Sequence, residues 1–180
     1  MTYMKALKTI GIGQAVRFVW FQWYVWLIHI SLPPVRVWLM RLAGANVGRD
    51  AVIMDVRCIN IHNHGFSRLS IGERCFVGDE VMLDVRGGIR IEDDVTISQR
   101  VTIVSHINVG YPDHPLQKRY PMKESAVVIQ KGAYVATGAI ILPGVSVGQE
   151  SVIAAGAVVT KNVIDHVLVA GVPAVYKKRI

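Results

Sequence analysis

Cysteine, acid and long apolar runs are all in short supply in this 180-residue chain. The two cysteines, Cys58 and Cys75, cannot supply a disulfide framework, and no nucleophile-like sequence surrounds either one. Both read as buried core thiols, and a reducing, cytoplasmic setting is expected. Against 20 Lys and Arg there are 13 Asp and Glu, a net charge of +7, and no acid falls in the first 48 residues. Lys5, Lys8, Arg17, Arg36 and Arg41 do fall there. The most apolar stretch, Phe18 to Ile30, is shorter than the roughly 20 residues that cross a bilayer. Pro33-Pro34 stop any helix that would extend it, so no spanning helix is expected. Nor is a signal peptide, because Arg36 and Arg41 follow amid further apolar residues instead of a small-residue cleavage site.

That stretch holds Trp20, Trp23 and Trp26, three of the four tryptophans. Residues 1–45 therefore read as an N-terminal apolar, aromatic helical segment, with a second short helix near Val35 to Leu42. Two tasks suit it. It can cap the exposed end of the structure that follows, or lie in a membrane interface through residues 15–42, at the inner face of the plasma membrane. The two are compatible, since a helix apolar all round can bury one side in protein and another in lipid. No nucleic-acid partner is expected.

From residue 46 to 180 a different rhythm takes over. Ile129, Val135, Ile141, Val147, Ile153 and Val159 stand six apart, each followed four residues later by Ala133, Ala139, Val145, Ser151, Ala157 and Val163 in turn. A helix repeats its buried face every 3.6 residues and a half-exposed strand every 2, so a period of six means short strands that turn after each unit. This is the hexapeptide repeat of an all-β solenoid. The rhythm recurs in Ile71, Val77 and Leu83 and, after two extra residues, in Ile91, Ile97 and Ile103, with Cys75, Val81, Gly87, Val95 and Val101 as companions. A fainter copy begins at Val47 and Ile53 and blurs around Ile59 and Ile61. One repeat cannot bury its own apolar edge, so the coils must stack at the sheet spacing of roughly 4.8 Å. Gly72, Gly78, Gly132, Gly138, Gly144 and Gly148 fall beside the aliphatics, where corners with positive φ are expected.

Between Ile103 and Ile129 the period is interrupted, and residues 107–125 read as a loop inserted at one edge. Long loops on rigid scaffolds are common seats of function. His106 stands where the regular wall ends and the loop begins, a good place to hold a base. Its position alone does not single it out among the six histidines.

The run Ile97-Ser98-Gln99-Arg100-Val101-Thr102-Ile103-Val104-Ser105-His106 resembles a segment of the hexapeptide-repeat O-acetyltransferases, the group that contains the galactoside, maltose and colanic acid acetyltransferases. So do Gly138-Ala139-Ile140-Ile141-Leu142-Pro143-Gly144-Val145, Ile153-Ala154-Ala155-Gly156-Ala157-Val158-Val159-Thr160-Lys161 and Val169-Ala170-Gly171-Val172-Pro173-Ala174. The resemblance covers about residues 47 to 180. It implies a left-handed parallel β-helix, a homotrimer, and acetyl-CoA in a cleft between subunits. The left hand rests on the likeness alone, since parallel crossovers are generally right-handed.

By position, the resemblance makes His106 the general base that takes the proton of a sugar hydroxyl as it attacks the thioester. No covalent intermediate is implied, because a thioester is already activated and the two substrates can react directly. It also implies cofactor contacts at Tyr134, Thr137, Ala155, Thr160 and Lys161, a charge-assisted phosphate contact at Arg179, and acceptor contacts at Asp84 and Asp113. Tyr134 departs from the pattern, since relatives carry tryptophan there. Asp84 also reads as a turn aspartate.

The implied activity is acetyl-CoA-dependent O-acetylation of a saccharide, a small or lipid-linked precursor of a cell-surface or exopolysaccharide. His62-Asn63-His64 suggests a metal site, but the histidines lack the spacing of the γ-class carbonic anhydrases, which share the coil, and no metal is expected. Serine acetyltransferases carry a larger helical N-terminal domain. An antibiotic-modifying acetyltransferase and a non-enzymatic membrane-surface scaffold are the remaining alternatives.

Overall fold

The computed structural model describes residues 11–110 and 113–180; Lys5, Lys8, Tyr111 and Pro112 lie outside the described residues. Six-residue sides turn the chain into a triangular prism with three walls of stacked, parallel strands. Wall A holds Asn46–Val47, Leu69–Ile71, Ile89–Ile91, Val127–Ile129 and Ser146–Val147. Wall B holds Val52–Ile53, Phe76–Val77, Thr96–Ile97, Tyr134–Val135, Val152–Ile153 and Val167–Ala170, with Val175–Arg179 added antiparallel at its end. Wall C holds Val56–Ile59, Val81–Asp84, Thr102–Ile103, Ile140–Ile141 and Val158–Val159.

The residues of the six-residue series stack directly on one another, Ile91 on Ile129 and Val147, Ile97 on Val135 and Ile153, Ile103 on Ile141 and Val159. All are buried, as are the companions Cys75, Val81, Val95, Val101, Ala133, Ala139 and Ala157. The blur around Ile59 and Ile61 has a local cause. Asn60 takes positive φ and a short helix, Ile61–His64, interrupts the corner between walls C and A at the end of the first coil.

The corner glycines divide into two kinds. Gly132, Gly138 and Gly144 have positive φ, as expected. Gly72 and Gly148 do not. At Gly72 a Cβ would stand 2.6 Å from the backbone nitrogen of Asp93, and at Gly148 2.6 Å from that of Asp165. Glycine is required there because the next coil leaves no space for a side chain, not because of its conformational freedom. Several positive-φ corners are instead taken by Asp50, Arg74, Glu80, Asp94, Arg100 and Glu150.

Ahead of the prism come helix α1, Ile12–Ile30, and helix α2, Pro33–Leu42. The prolines that were expected to stop a helix also start one, since a residue without N–H and with φ already fixed suits the first turn. Val37, Leu39 and Met40 of α2 and Ile28 of α1 join the core at the first coil, so the helices cap the open end of the prism. The short helix Ile61–His64, α3, packs against α1.

Arg36 anchors this cap. It is buried, and its guanidinium donates to the carbonyl oxygens of Ile28 (2.9 Å), His29 (2.9 Å), Ser31 (2.5 Å) and Ile53 (3.0 Å), tying α1, the turn and the first strand of wall B to α2. Arg41 likewise donates to the carbonyls of Val47 and Gly48. Replacing Arg36 by Leu strands buried carbonyls without donors and is expected to lower the unfolding free energy by about 3 kcal/mol. A urea titration followed by tryptophan fluorescence reads this directly, and an unchanged midpoint would mean that the cap does not depend on Arg36.

Candidate active site

The corner between walls C and A carries the insertion. After Thr102–Ile103 the chain passes Val104 and Ser105 and enters an antiparallel ladder, His106–Ile107 against Lys123–Glu124, that forms the base of the loop. One coil earlier, Gly87 lies so close that a Cβ there would overlap the carbonyl oxygen of Ser105 and stand 2.8 Å from the nitrogen of Ser125. Ser105 is clamped from both sides. Its hydroxyl donates to the backbone oxygen of Asp84 and accepts from Gly87 N–H (2.8 Å), and its carbonyl accepts from Ser125 N–H (2.9 Å). The residue after it is thereby fixed on the rim of the prism.

That residue is His106, whose Nδ1 lies 2.5 Å from Asp84 Oδ2, with the imidazole partly exposed and the carboxyl 1% exposed. Burial works against the charge on Asp84. Hydrogen bonds from His106, from Asn60 Nδ2 (2.8 Å) and from Ser105 N–H (3.0 Å) outweigh it and hold the carboxyl below its ordinary range. A charged Asp84 can only accept, so the proton of the imidazole resides on Nδ1 and the lone pair of Nε2 points away from the buried carboxylate. The resemblance implied an acceptor contact at Asp84, whose carboxyl the structure places inside the wall instead of on an open surface. Both of its oxygens are occupied inside the wall, and it orients His106.

A second network braces the loop. Glu124, opposite His106 in the ladder, accepts from Arg68 Nη1 (2.7 Å) and Arg86 Nε (3.0 Å), which hold its carboxyl below the usual range. Arg68 also donates to the carbonyl of Arg86.

The other expected site residues separate into groups. Thr137 and Ala155 stack at the corner between walls B and C, where Gly156 N–H donates to the Thr137 carbonyl and Thr137 Oγ1 faces Gln99 Oε1 at 3.4 Å. Tyr134 lies on the outer face of wall B, 40% exposed, and accepts from Ser98 Oγ at 3.1 Å. Thr160 and Lys161 are exposed at the corner that also carries His106. Arg179 is exposed on the final strand, opposite Val167. Asp113 is exposed at the loop tip, where it lines a shallow pocket with His114 and Lys118 that does not include His106.

His62 packs edge-on against the Phe18 ring at 5.5 Å between centroids. Burial, then the charges of Arg86 and Arg17, hold its imidazole below the ordinary value. Among the described residues no group of three or more His, Cys, Asp or Glu is placed to hold a metal ion. Burial raises both thiols, Cys58 to about 12. Asn60, Ser105, Arg68, Arg86 and Glu124 were not identified from the sequence. Only the break in period at Ile59 and Ile61 marked the neighbourhood of Asn60.

The fold and this corner define a class, a parallel β-solenoid with an imidazole–carboxylate pair at the mouth of an inserted loop. Residues 68–103 and 136–161 match the family described as the hexapeptide repeat of succinyl-transferase. Over 140 residues the chain is 32% identical to a putative colanic acid biosynthesis acetyltransferase of Escherichia coli (strain K12), covering 78% of this chain and 72% of that one. A galactoside acetyltransferase solved in complex with coenzyme A is 25% identical and superposes with a TM-score of 0.78 over 100% of this chain and 92% of the other. A hexapeptide-repeat acetyltransferase of Vibrio cholerae O1 biovar eltor, complexed with acetyl-coenzyme A, shares the fold at 24% identity, with a TM-score of 0.73 over 93% and 85% of the two chains.

The chain belongs to the hexapeptide-repeat acetyltransferase family. It is an acyltransferase with the left-handed parallel β-helix fold, and the alternative of a non-enzymatic scaffold falls.

Because the folded chain depresses the Asp84 carboxyl, its contribution to stability is fully present above the ordinary carboxylate value of about 3.9 and is lost as pH falls through the depressed value. Asp84→Asn is expected to cost about 2 kcal/mol at pH 7. Chemical denaturation at pH 7 and again near pH 3 should show that difference shrinking in acid; a difference independent of pH would mean that Asp84 is not charged in the fold.

Proposed function

We propose that this protein transfers the acetyl group of acetyl-coenzyme A to a hydroxyl of a saccharide, with His106 as general base. The 2.5 Å contact between Asp84 and His106 at the loop mouth carries the reading. With Nδ1–H held by the carboxylate, Nε2 takes the proton of the acceptor hydroxyl as its oxygen bonds to the thioester carbon. The tetrahedral oxyanion then collapses, the carbon–sulfur bond breaks, and the imidazolium returns its proton to the departing thiolate. Asp84 stabilises the imidazolium between the two transfers.

Among the described residues, neither cysteine nor the serine beside His106 is free to act as a covalent carrier. Cys58 and Cys75 are buried and the Ser105 hydroxyl is tied between Asp84 and Gly87. The names of the relatives, a colanic acid biosynthesis acetyltransferase and a galactoside acetyltransferase bound to coenzyme A, support both donor and saccharide acceptor.

The donor site belongs to an assembly. Thr137 and Ala155 stand at one edge of wall C, while His106, Thr160 and Lys161 stand at the other. A single groove contains both sets only when the first edge of one protomer meets the second edge of a neighbour, and a homotrimer closes such contacts without leaving a free edge.

Release of coenzyme A thiol from acetyl-coenzyme A, followed with galactosides and oligosaccharides as acceptors, tests the reading. His106→Ala is expected to lower turnover by about 10²- to 10⁴-fold with the oligomeric mass unchanged. Undiminished turnover would remove His106 as the base, and thiol release with aminoglycosides but no saccharide would move the enzyme to the antibiotic-modifying class.

A further inference from the structure

Helix α1 is apolar on two opposite sides. Phe21, Tyr24, Val25 and Ile28 pack on the core. The other side carries Val16, Val19, Trp20, Trp23, Trp26 and Leu27, all exposed, the three indoles by 68%, 64% and 54%. Their spacing keeps them on one stripe of the helix, and no charged side chain falls within it. Trp23 and Trp26 meet edge to face at 5.9 Å, and a shallow apolar hollow opens between them and Trp20. Isolated apolar residues on a surface are ordinary, but a continuous stripe of this kind marks an interaction face.

Three features select a lipid surface over a second copy of this chain. Tryptophan is the side chain that favours the boundary between headgroups and acyl chains, where its ring is buried and its N–H stays wet. Indoles at the seam positions are too bulky for the interaxial distance of roughly 8–10 Å at which two helices interdigitate. The charge is also suited to anionic headgroups. Lys5 and Lys8 precede the helix in the sequence, Arg17 stands in its first turns over the Phe21 ring, and no acid occurs in the first 48 residues. No helix among the described residues is long and apolar enough to cross a membrane, so α1 would lie in the plane of the interface.

The same helix is joined to the base. Phe18 touches His62 of α3, and Asn60, which precedes α3, donates to the carboxylate that holds His106. We infer that the outer stripe of α1 docks on an anionic bilayer and holds the His106 corner at headgroup level, where the acceptor is a saccharide carried on a lipid anchor. The docking stands on the stripe alone; the acceptor class rests on His106 being the base.

Full-length protein is mixed with vesicles of phosphatidylethanolamine and phosphatidylglycerol and floated on a density gradient. The wild type is expected to rise with the vesicles, with its tryptophan emission quenched by brominated acyl chains. A chain carrying Trp20→Ser, Trp23→Ser and Trp26→Ser should lose about tenfold or more of this affinity while releasing thiol with a soluble saccharide at the wild-type rate. Trp23→Glu alone should weaken flotation in the same direction and guards against a folding effect of the triple change.

Wild type remaining at the bottom of the gradient would overturn docking. So would variants that float normally, or a drop in oligomeric mass on substitution, which would make the stripe a subunit contact. His106→Ala should still float. Equal turnover on soluble and lipid-anchored glycosides would overturn the acceptor class, whereas undiminished thiol release by His106→Ala would overturn the assignment of the base and leave docking intact.

Discussion

Backbone hydrogen bonds between successive coils, such as Gly48 N–H to Ile71 O and Gly72 N–H to Ile91 O at 2.8 Å each, set the pitch of this molecule. At that pitch inward side chains of successive coils stack in contact, and columns of buried aliphatics fill the interior. The same spacing forbids a Cβ where corners of adjacent coils touch, at Gly72, Gly87 and Gly148. Extra chain can therefore leave the prism only at a corner, and the long insertion does so between walls C and A. The base of the loop is tied to the solenoid through Ser105 and the His106–Glu124 ladder.

The chemistry derives from that rigidity. Asp84 ends a strand of wall C in a buried position, where an unaccompanied carboxylate would be costly. Its donors come from two neighbouring coils: Asn60 from the coil before, Ser105 and His106 from the coil after. Because stacking holds those coils at fixed height, the imidazole is orientated before any substrate arrives. The Arg68, Arg86 and Glu124 network extends the same fixation to the first residues of the loop.

The walls could be read from the sequence because inward positions recur in chain order; nothing but counting is needed to see Ile129, Val135 and Ile141 as one series. Asp84 and His106 are twenty-two positions apart and meet only because the coils stack, so their pairing leaves no local trace. Gly72 and Gly132 look alike in sequence, yet one is required by a neighbouring backbone and the other has positive φ. Composition cannot distinguish a solvated guanidinium from one bound, like that of Arg36, to carbonyl oxygens of three segments. The resemblance points to His106, but the enclosure of Asp84 between Asn60, Ser105 and His106 appears only with the wall built around it.

The last strand, Val175–Arg179, runs antiparallel along Val167–Ala170 and finishes wall B with Lys177, Lys178 and Arg179. A stack of parallel strands otherwise ends in a row of unpaired amides and carbonyls on which another molecule's first coil could continue the ladder. Reversed direction and like charge on this strand, with helices over the opposite end of the prism, make continuation of the wall B ladder by another molecule unfavourable.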